Sequence, residues 1–178
     1  MKTALAKSTA VVLFSLVFAV ACVAAQETCE LASKRAPLLL NLQIGMSPEQ
    51  ARNVFGKDLK IKFKKKGERT FFQNFIKNPA PAPLNGVRAL YLRFFDGKLY
   101  QIEIFYENQQ NFNSIEEVIN ALSAQLNLPV SDWEIKFNRA EISCGEISLV
   151  ADYILNPRIE ITNEAIRAEI EELRKKKK

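Results

Sequence analysis

Histidine is absent from this 178-residue chain. That removes the usual base of Ser-His and Cys-His nucleophilic systems. It also removes the commonest metal ligand. Cysteine is scarce, at Cys22, Cys29 and Cys144. The two that follow the leader described below cannot fill a tetrahedral zinc shell, so no metal is expected. Glycine is equally sparse, six residues spread singly. There is no phosphate-cradling glycine loop and no G-x-S-x-G elbow, and no cofactor is expected. The remaining catalytic options are a Ser-Lys dyad, for which nothing singles out a pair, and a carboxylate pair of the glycosidase type, for which Asp132, Glu141, Glu146 and Asp152 are candidates. The plainer reading makes each a surface or turn charge, and a non-enzymatic protein is expected.

The start of the chain is informative. Met1–Lys7 carries Lys2 and Lys7, and Ala10–Val23 is apolar except for Ser15. Val23-Ala24-Ala25 then precedes Gln26, a cleavage point for a signal peptide spanning residues 1–25. The apolar run is too short for a membrane span. The expected location is periplasmic or secreted. The other processing route is a lipoprotein one: Ala19-Val20-Ala21 precedes Cys22 much as a lipobox triplet would, which would anchor the domain to a membrane. Behind the signal come an arm, 26–40, and a single domain, 41–178.

Cleavage takes away two lysines and no acid, lowering the formal charge from +5 to +3. A hydrophobic share of 48% against 25% charged residues places the remainder among globular chains. In an oxidising compartment, Cys29 and Cys144 most simply form one disulfide. It would close a loop of more than a hundred residues, worth about 4–5 kcal/mol in the chain-entropy account. Two basic clusters stand out, Lys60, Lys62, Lys64, Lys65 and Lys66, and Arg174 with Lys175–Lys178. They read as a solvated strand face and a frayed helix end, or as contacts to an anionic envelope surface. Export argues against nucleic acid.

Local patterns indicate an α+β domain. Ser47-Pro48-Glu49-Gln50 is a capping box that opens a short helix with Ala51, Val54 and Phe55 on one face and Gly56 as its stop. Leu59–Lys66 alternates with period two and Thr70–Ile76 follows as a strand. Pro79, Pro81 and Pro83 make residues 78–83 a polyproline-like connection. Val87–Phe95 and Lys98–Tyr106 flank Asp96-Gly97, a hairpin signal. A parity change between Leu99 and Ile102 demands a bulge or a late strand start near Tyr100. Ser114–Glu117 repeats the capping box, and Ile115, Val118, Ile119, Leu122 and Leu126 mark one helix face. Trp133–Phe137, Ala140–Cys144, Ile147–Leu155 and Arg158–Thr162 read as strands, with a turn at Asn156-Pro157. Asn163 caps a last helix facing the core through Ile166, Ile170 and Leu173, with Glu171–Lys175 and Glu172–Lys176 as i,i+4 pairs. The expected architecture is an antiparallel sheet with helices packed on one face, and the halves are candidates for a diverged helix-plus-strands pseudo-repeat.

The stretch Leu42-Gln43-Ile44-Gly45-Met46-Ser47-Pro48, continuing through Val54-Phe55-Gly56, resembles the helix opening of small exported domains. These are the BamE/SmpA-type outer-membrane lipoproteins and the beta-lactamase inhibitor protein fold. The Asp96-Gly97 hairpin, 87–106, resembles the strands that follow. The second helix here comes after that hairpin, whereas in that group two helices come first. The resemblance implies a small antiparallel sheet packed by helices, and binding to another protein as the activity.

Adjacent aromatics sharpen that expectation. Phe71-Phe72 and Phe94-Phe95 are neighbours on strands, so each pair must face both sides of the sheet. With Lys60, Lys62, Lys64, Arg88 and Arg93 nearby, Phe71 and Phe72 mark a candidate interaction surface for another envelope or secreted protein, or for an anionic lipid or glycan surface. Intact-mass and thiol measurements on the exported product test the placement. The expected product begins at Gln26 and shows no free thiol until reduced; a lipid adduct on Cys22 would replace that outcome with the anchored form.

Overall fold

The computed structural model describes residues 40–54, 67–75, 86–107, 112–154 and 157–176. The signal segment with Cys22, the Cys29–Cys144 pairing, the strand expected at Leu59–Lys66 and the proline-rich connection lie outside the described residues.

The first helix, α1 (Pro48–Val54), begins as its capping box requires. The Gln50 N–H donates to Ser47 Oγ at 3.1 Å, and the Ser47 N–H donates to Gln50 Oε1 at 2.8 Å. Strands β1 (Glu68–Asn74), β2 (Val87–Phe95) and β3 (Lys98–Tyr106) form an antiparallel meander. Asp96 and Gly97, with φ of 44° and 77°, supply the two positive-φ residues of the tight β2–β3 turn. Arg93 stands opposite Gln101 and Phe94 opposite Leu99, so Tyr100 is the extra residue of a bulge. That bulge is the origin of the parity change in the sequence.

The second half follows as α2 (Ile115–Leu126), a 3-10 turn (Val130–Asp132), β4 (Glu134–Lys136), β5 (Arg139–Cys144), β6 (Ile147–Tyr153), β7 (Pro157–Asn163) and α3 (Glu164–Lys175). Three local expectations are corrected. The second capping box is only half formed: Ser114 Oγ accepts from the Glu117 N–H at 3.4 Å, but the Glu117 carboxylate turns to the Asn113 N–H at 2.8 Å. The strand expected from Trp133 shortens to three residues, because Trp133 is drawn inward by a 2.9 Å bond from its Nε1 to Ser123 Oγ on α2. Pro157 opens β7 instead of turning the chain, a position where its missing N–H costs no ladder bond.

The seven strands form one antiparallel sheet in the order β1-β2-β3-β7-β6-β5-β4. Each half is a helix followed by a meander, and the last strands of the two meanders pair at the centre of the sheet. This is the order expected of a helix-plus-strands pseudo-repeat, with β4 added at the outer edge of the second half. One face carries the core. Leu90, Leu92, Phe94, Ile102, Ile104, Ile142, Leu149, Ile159 and Ile161 are buried there, beneath Ile115, Val118, Ile119 and Leu122 of α2 and Ala51 of α1.

The last helix, expected to face the core, instead adds a layer on the opposite face. Asn163 caps it, accepting the Ile166 N–H at 3.0 Å, as expected. Glu164 bonds Ser148 of β6 and Arg174 pairs with Glu68 of β1, and both strand residues point away from the core. A helix rising 1.5 Å per residue covers about 15 Å between those two positions. Four strand spacings of about 4.8 Å separate β6 from β1, so α3 lies crosswise over one end of the sheet. Ile170 is buried, but Leu173 stays 39% exposed, so the apolar stripe is only partly covered. Lys175 pairs with Glu172 at 2.7 Å, an i,i+3 contact in place of the expected i,i+4 pairs.

The segment before α1 completes the sheet. Where β7 bends away into α3, the Gly45 N–H donates to the Leu99 carbonyl at 2.7 Å, and the Leu99 N–H donates to the Met46 carbonyl at 2.8 Å. Gly45 sits at φ 93°, a conformation that a side chain would strain. Its conformation lets the chain serve Leu99 and then enter the capped helix.

Equilibrium urea denaturation tests the layer assignment. Leu92→Ala, which empties a fully buried site, is expected to cost about 2–5 kcal/mol. Asn163→Ala is expected to cost about 1 kcal/mol through the lost cap.

Candidate interaction face

The face opposite the core is built from alternate residues of the same strands. On β3 and β7, isoleucines point inward at 102, 104, 159 and 161, which sends Gln101, Glu103, Arg158, Glu160 and Thr162 to the other side. Among the described residues, α3 is the only helix on that side, and it covers one end.

Polar side chains on this face form a continuous network over five neighbouring strands. Its centre is Arg158 on β7. Its Nε donates to Asp152 Oδ2 on β6 at 2.9 Å, its Nη1 donates to Glu103 Oε1 on β3 at 2.8 Å, and Glu160 lies at 3.6 Å. Arg139 on β5 continues the network to Asp152 at 3.4 Å and to Glu141 at 3.5 Å. Arg93 on β2 approaches Glu103 at 3.9 Å. Gln101 Nε2 and Thr162 Oγ1 both donate to Glu160 Oε1, at 2.6 and 3.0 Å.

The register makes the need for Arg158 plain. Glu103 and Glu160 are direct cross-strand partners, and like charges in that position repel. One guanidinium between them turns the repulsion into two charge-assisted contacts. Burial disfavours the Arg158 charge, but Asp152 and then Glu103 outweigh it, so its pKa is raised above the ordinary guanidinium value. The network holds three arginines and four carboxylates, so it nearly neutralises itself.

Beside it lies a row of aromatics. Phe72 on β1 stacks on Tyr91 on β2 with ring centroids 4.4 Å apart, and Tyr91 meets Phe105 on β3 edge-on at 5.8 Å. Phe72 remains 48% exposed.

At the α3 end a second constellation closes the face. The Tyr100 hydroxyl donates to Glu68 Oε1 at 2.9 Å, and Arg174 pairs with the other carboxylate oxygen of Glu68. Burial pushes the Glu68 carboxyl up, but the Tyr100 hydroxyl and the Arg174 guanidinium together hold it below the ordinary range. Burial and the adjacent Glu68 push the Tyr100 phenol up to about 12. Burial alone does the same for Tyr106. Next to this cluster is an open groove of about 220 Å³, floored by Phe95, Ile170 and Leu173 and edged by Glu68 and Arg174.

The residues singled out in the sequence divide accordingly. Phe72 and Arg93 reach the face together. Phe71 points the other way and packs against the core, as strand alternation demands. Arg88 is the extra residue of a second irregularity, between Val87 and Ala89; its side chain is exposed and its carbonyl accepts the Phe75 N–H at 2.9 Å. Lys60, Lys62 and Lys64 lie outside the described residues. In the described part of the face, the arginines are matched by acids of the same network. Among the candidate acids, Glu141 and Asp152 are tied to Arg139 instead of forming a cleft pair, and Asp132 stands in the exposed 3-10 turn. Among the described residues, no three acidic or cysteine side chains converge as a metal site would require, and no helix is long and apolar enough to cross a membrane. The missed residues are Arg158, Glu103, Glu160 and Gln101. Their signal was present as polar residues alternating with isoleucine on the two central strands.

No family model, curated protein or solved structure matches the chain.

Two tests follow from the charges. Arg158→Met leaves Glu103 and Glu160 face to face and is expected to cost about 2–3 kcal/mol at pH 7. Urea denaturation midpoints of the variant and the native chain, compared at pH 7, check this. For the native chain, the depressed pKa of Glu68 contributes stability above the ordinary carboxylate range that is lost as pH falls through it. The raised pKa values of Tyr100 and Tyr106 contribute stability that is present below the unfolded value of about 10. It is lost as pH rises to about 12. Absorbance titration of the phenolates should show two of the four tyrosines ionising near the upper limit.

Proposed function

We propose that this chain is an exported, non-enzymatic binding module of the cell envelope that recognises another protein through the sheet face opposite its core. The observation that carries the reading is the Phe72–Tyr91–Phe105 row beside the Arg158 network. Aromatic residues and arginine are enriched where protein interfaces hold their binding energy. Here they are mounted on paired strands and fixed by neighbours, so little side-chain entropy remains to be lost on association. The network's near neutrality suits a partner that brings few unpaired charges. Placement outside the cytoplasm rests on residues 1–25 and on the two cysteines that follow. The resemblance of residues 42–56 to the opening of BamE/SmpA-type and beta-lactamase-inhibitor-like domains points to the same class of activity.

Binding to a saturable partner from envelope extract, measured with the mature chain, is the test. The double variant Phe72→Ala, Tyr91→Ala is expected to weaken that binding at least tenfold while leaving the far-ultraviolet circular dichroism unchanged. Failure to recover any partner at low salt, or equal binding by the double variant, overturns the reading.

A further inference from the structure

The far edge of the sheet carries a feature that the proposed protein-binding face does not use. Strands β4 and β5 are joined by the two-residue turn Phe137-Asn138. Phe137 is 98% exposed and holds φ at +55°. A bulky aromatic in the left-handed region is an outlier, since glycine or asparagine would occupy that position with less strain. Asn138 then ties this turn to a second one: its carbonyl accepts the Tyr153 N–H at 2.7 Å. Ile154, the next residue, is 74% exposed. Two neighbouring turns thus hold an aromatic and an aliphatic side chain out in solvent at one tip. Ile135 on the same hairpin is 45% exposed. Lys136 stands beside Phe137 and pairs with Glu134 at 2.6 Å, and Arg139 on the other side pairs with Glu141 and Asp152.

We infer that this tip, Phe137 with Ile154, inserts into the interfacial layer of a lipid bilayer and docks the domain reversibly on a membrane surface. Area decides between the occupants. An aromatic side chain buries about 150–250 Å², and an aliphatic neighbour adds a comparable or smaller amount. A specific protein interface or a stable dimer needs more than about 1,000 Å² of complementary surface. Two protruding side chains with self-paired charges behind them fall well short of that. A fluid interface needs no matching shape, and accepts an amphipathic tip in proportion to its apolar area. The strained turn supports a contact of this kind, because local strain kept at an exposed position marks a site where the side chain serves something other than folding. The inference does not rest on the protein-binding reading; it concerns the opposite edge of the sheet from the Phe72 row.

Vesicle flotation with the full mature chain and phosphatidylglycerol–phosphatidylethanolamine liposomes tests it. The native chain is expected to float with the vesicles, and to do so at high as well as low salt, because the tip's own charges are already paired. Phe137→Gly is the informative variant, since glycine relieves the positive φ. Its melting temperature is expected to equal or exceed that of the native chain, while vesicle binding falls about tenfold or more. Ile154→Ser is expected to weaken binding by a smaller factor. Absence of vesicle binding by the native chain, equal binding by Phe137→Gly, or binding that vanishes at high salt overturns the inference. Capture of an envelope protein that depends on Phe137 without any vesicle binding also overturns it, assigning the tip to a protein pocket instead.

Discussion

Glu103 and Glu160 face each other across the central strand pair, and Arg158 is what makes that arrangement tolerable. The pairing of β3 with β7 joins the two halves of the molecule. On its inner side the isoleucines at 102, 104, 159 and 161 are fully or almost fully buried, and they lock the register, because a slip by one residue would send the slipping strand's two isoleucines to the other face. That register leaves two carboxylates in direct opposition on the outer side. The guanidinium contacts both and reaches Asp152 as well. Apolar packing therefore selects the alignment, and one arginine removes its electrostatic penalty.

Both ends of the sheet follow from how the strands are finished. At one end β7 stops at Asn163 and the chain turns into α3, which crosses the outer face and is pinned at its far end by Glu68. The position that β7 vacates beside β3 is filled by Gly45 and Met46, so the backbone of Leu99 keeps its partners. At the other edge, β4 is short and its turn projects Phe137. Short edge strands with charged neighbours discourage further strand addition. The exposed aromatic there is consistent with a contact made by side chains and not by ladder extension.

The two sides of the sheet serve different ends. The inner face holds aliphatic residues under α1 and α2 and explains the stability of the domain. The outer face mixes aromatics with a self-neutralised polar lattice. Tyr100 links the two themes: its bulge re-aims β3, and its hydroxyl reaches the carboxylate that anchors α3.

Much of this could be read from local pattern. Ser47 and Gln50, Asp96-Gly97, Asn163 and the alternation of β2 and β3 act over a few residues, so their physics is written in contiguous sequence. The bulge at Tyr100 was legible for the same reason, as a break in a period of two. The division of Phe71 from Phe72 needed only strand alternation. What local pattern did not reveal were the partners: Arg158 with Glu103, Arg174 with Glu68, Trp133 with Ser123 and Glu117 with Asn113. The first two join residues 55 and 106 positions apart, and their meeting depends on strand order and on where α3 lies. The chain by itself determined the class of fold, the helix starts and the tight turn. Only the tertiary structure decided that the outer face is charge-balanced and that Phe137 stands in solvent, because charge pairing and exposure are properties of what the fold brings near and not of the residue alone.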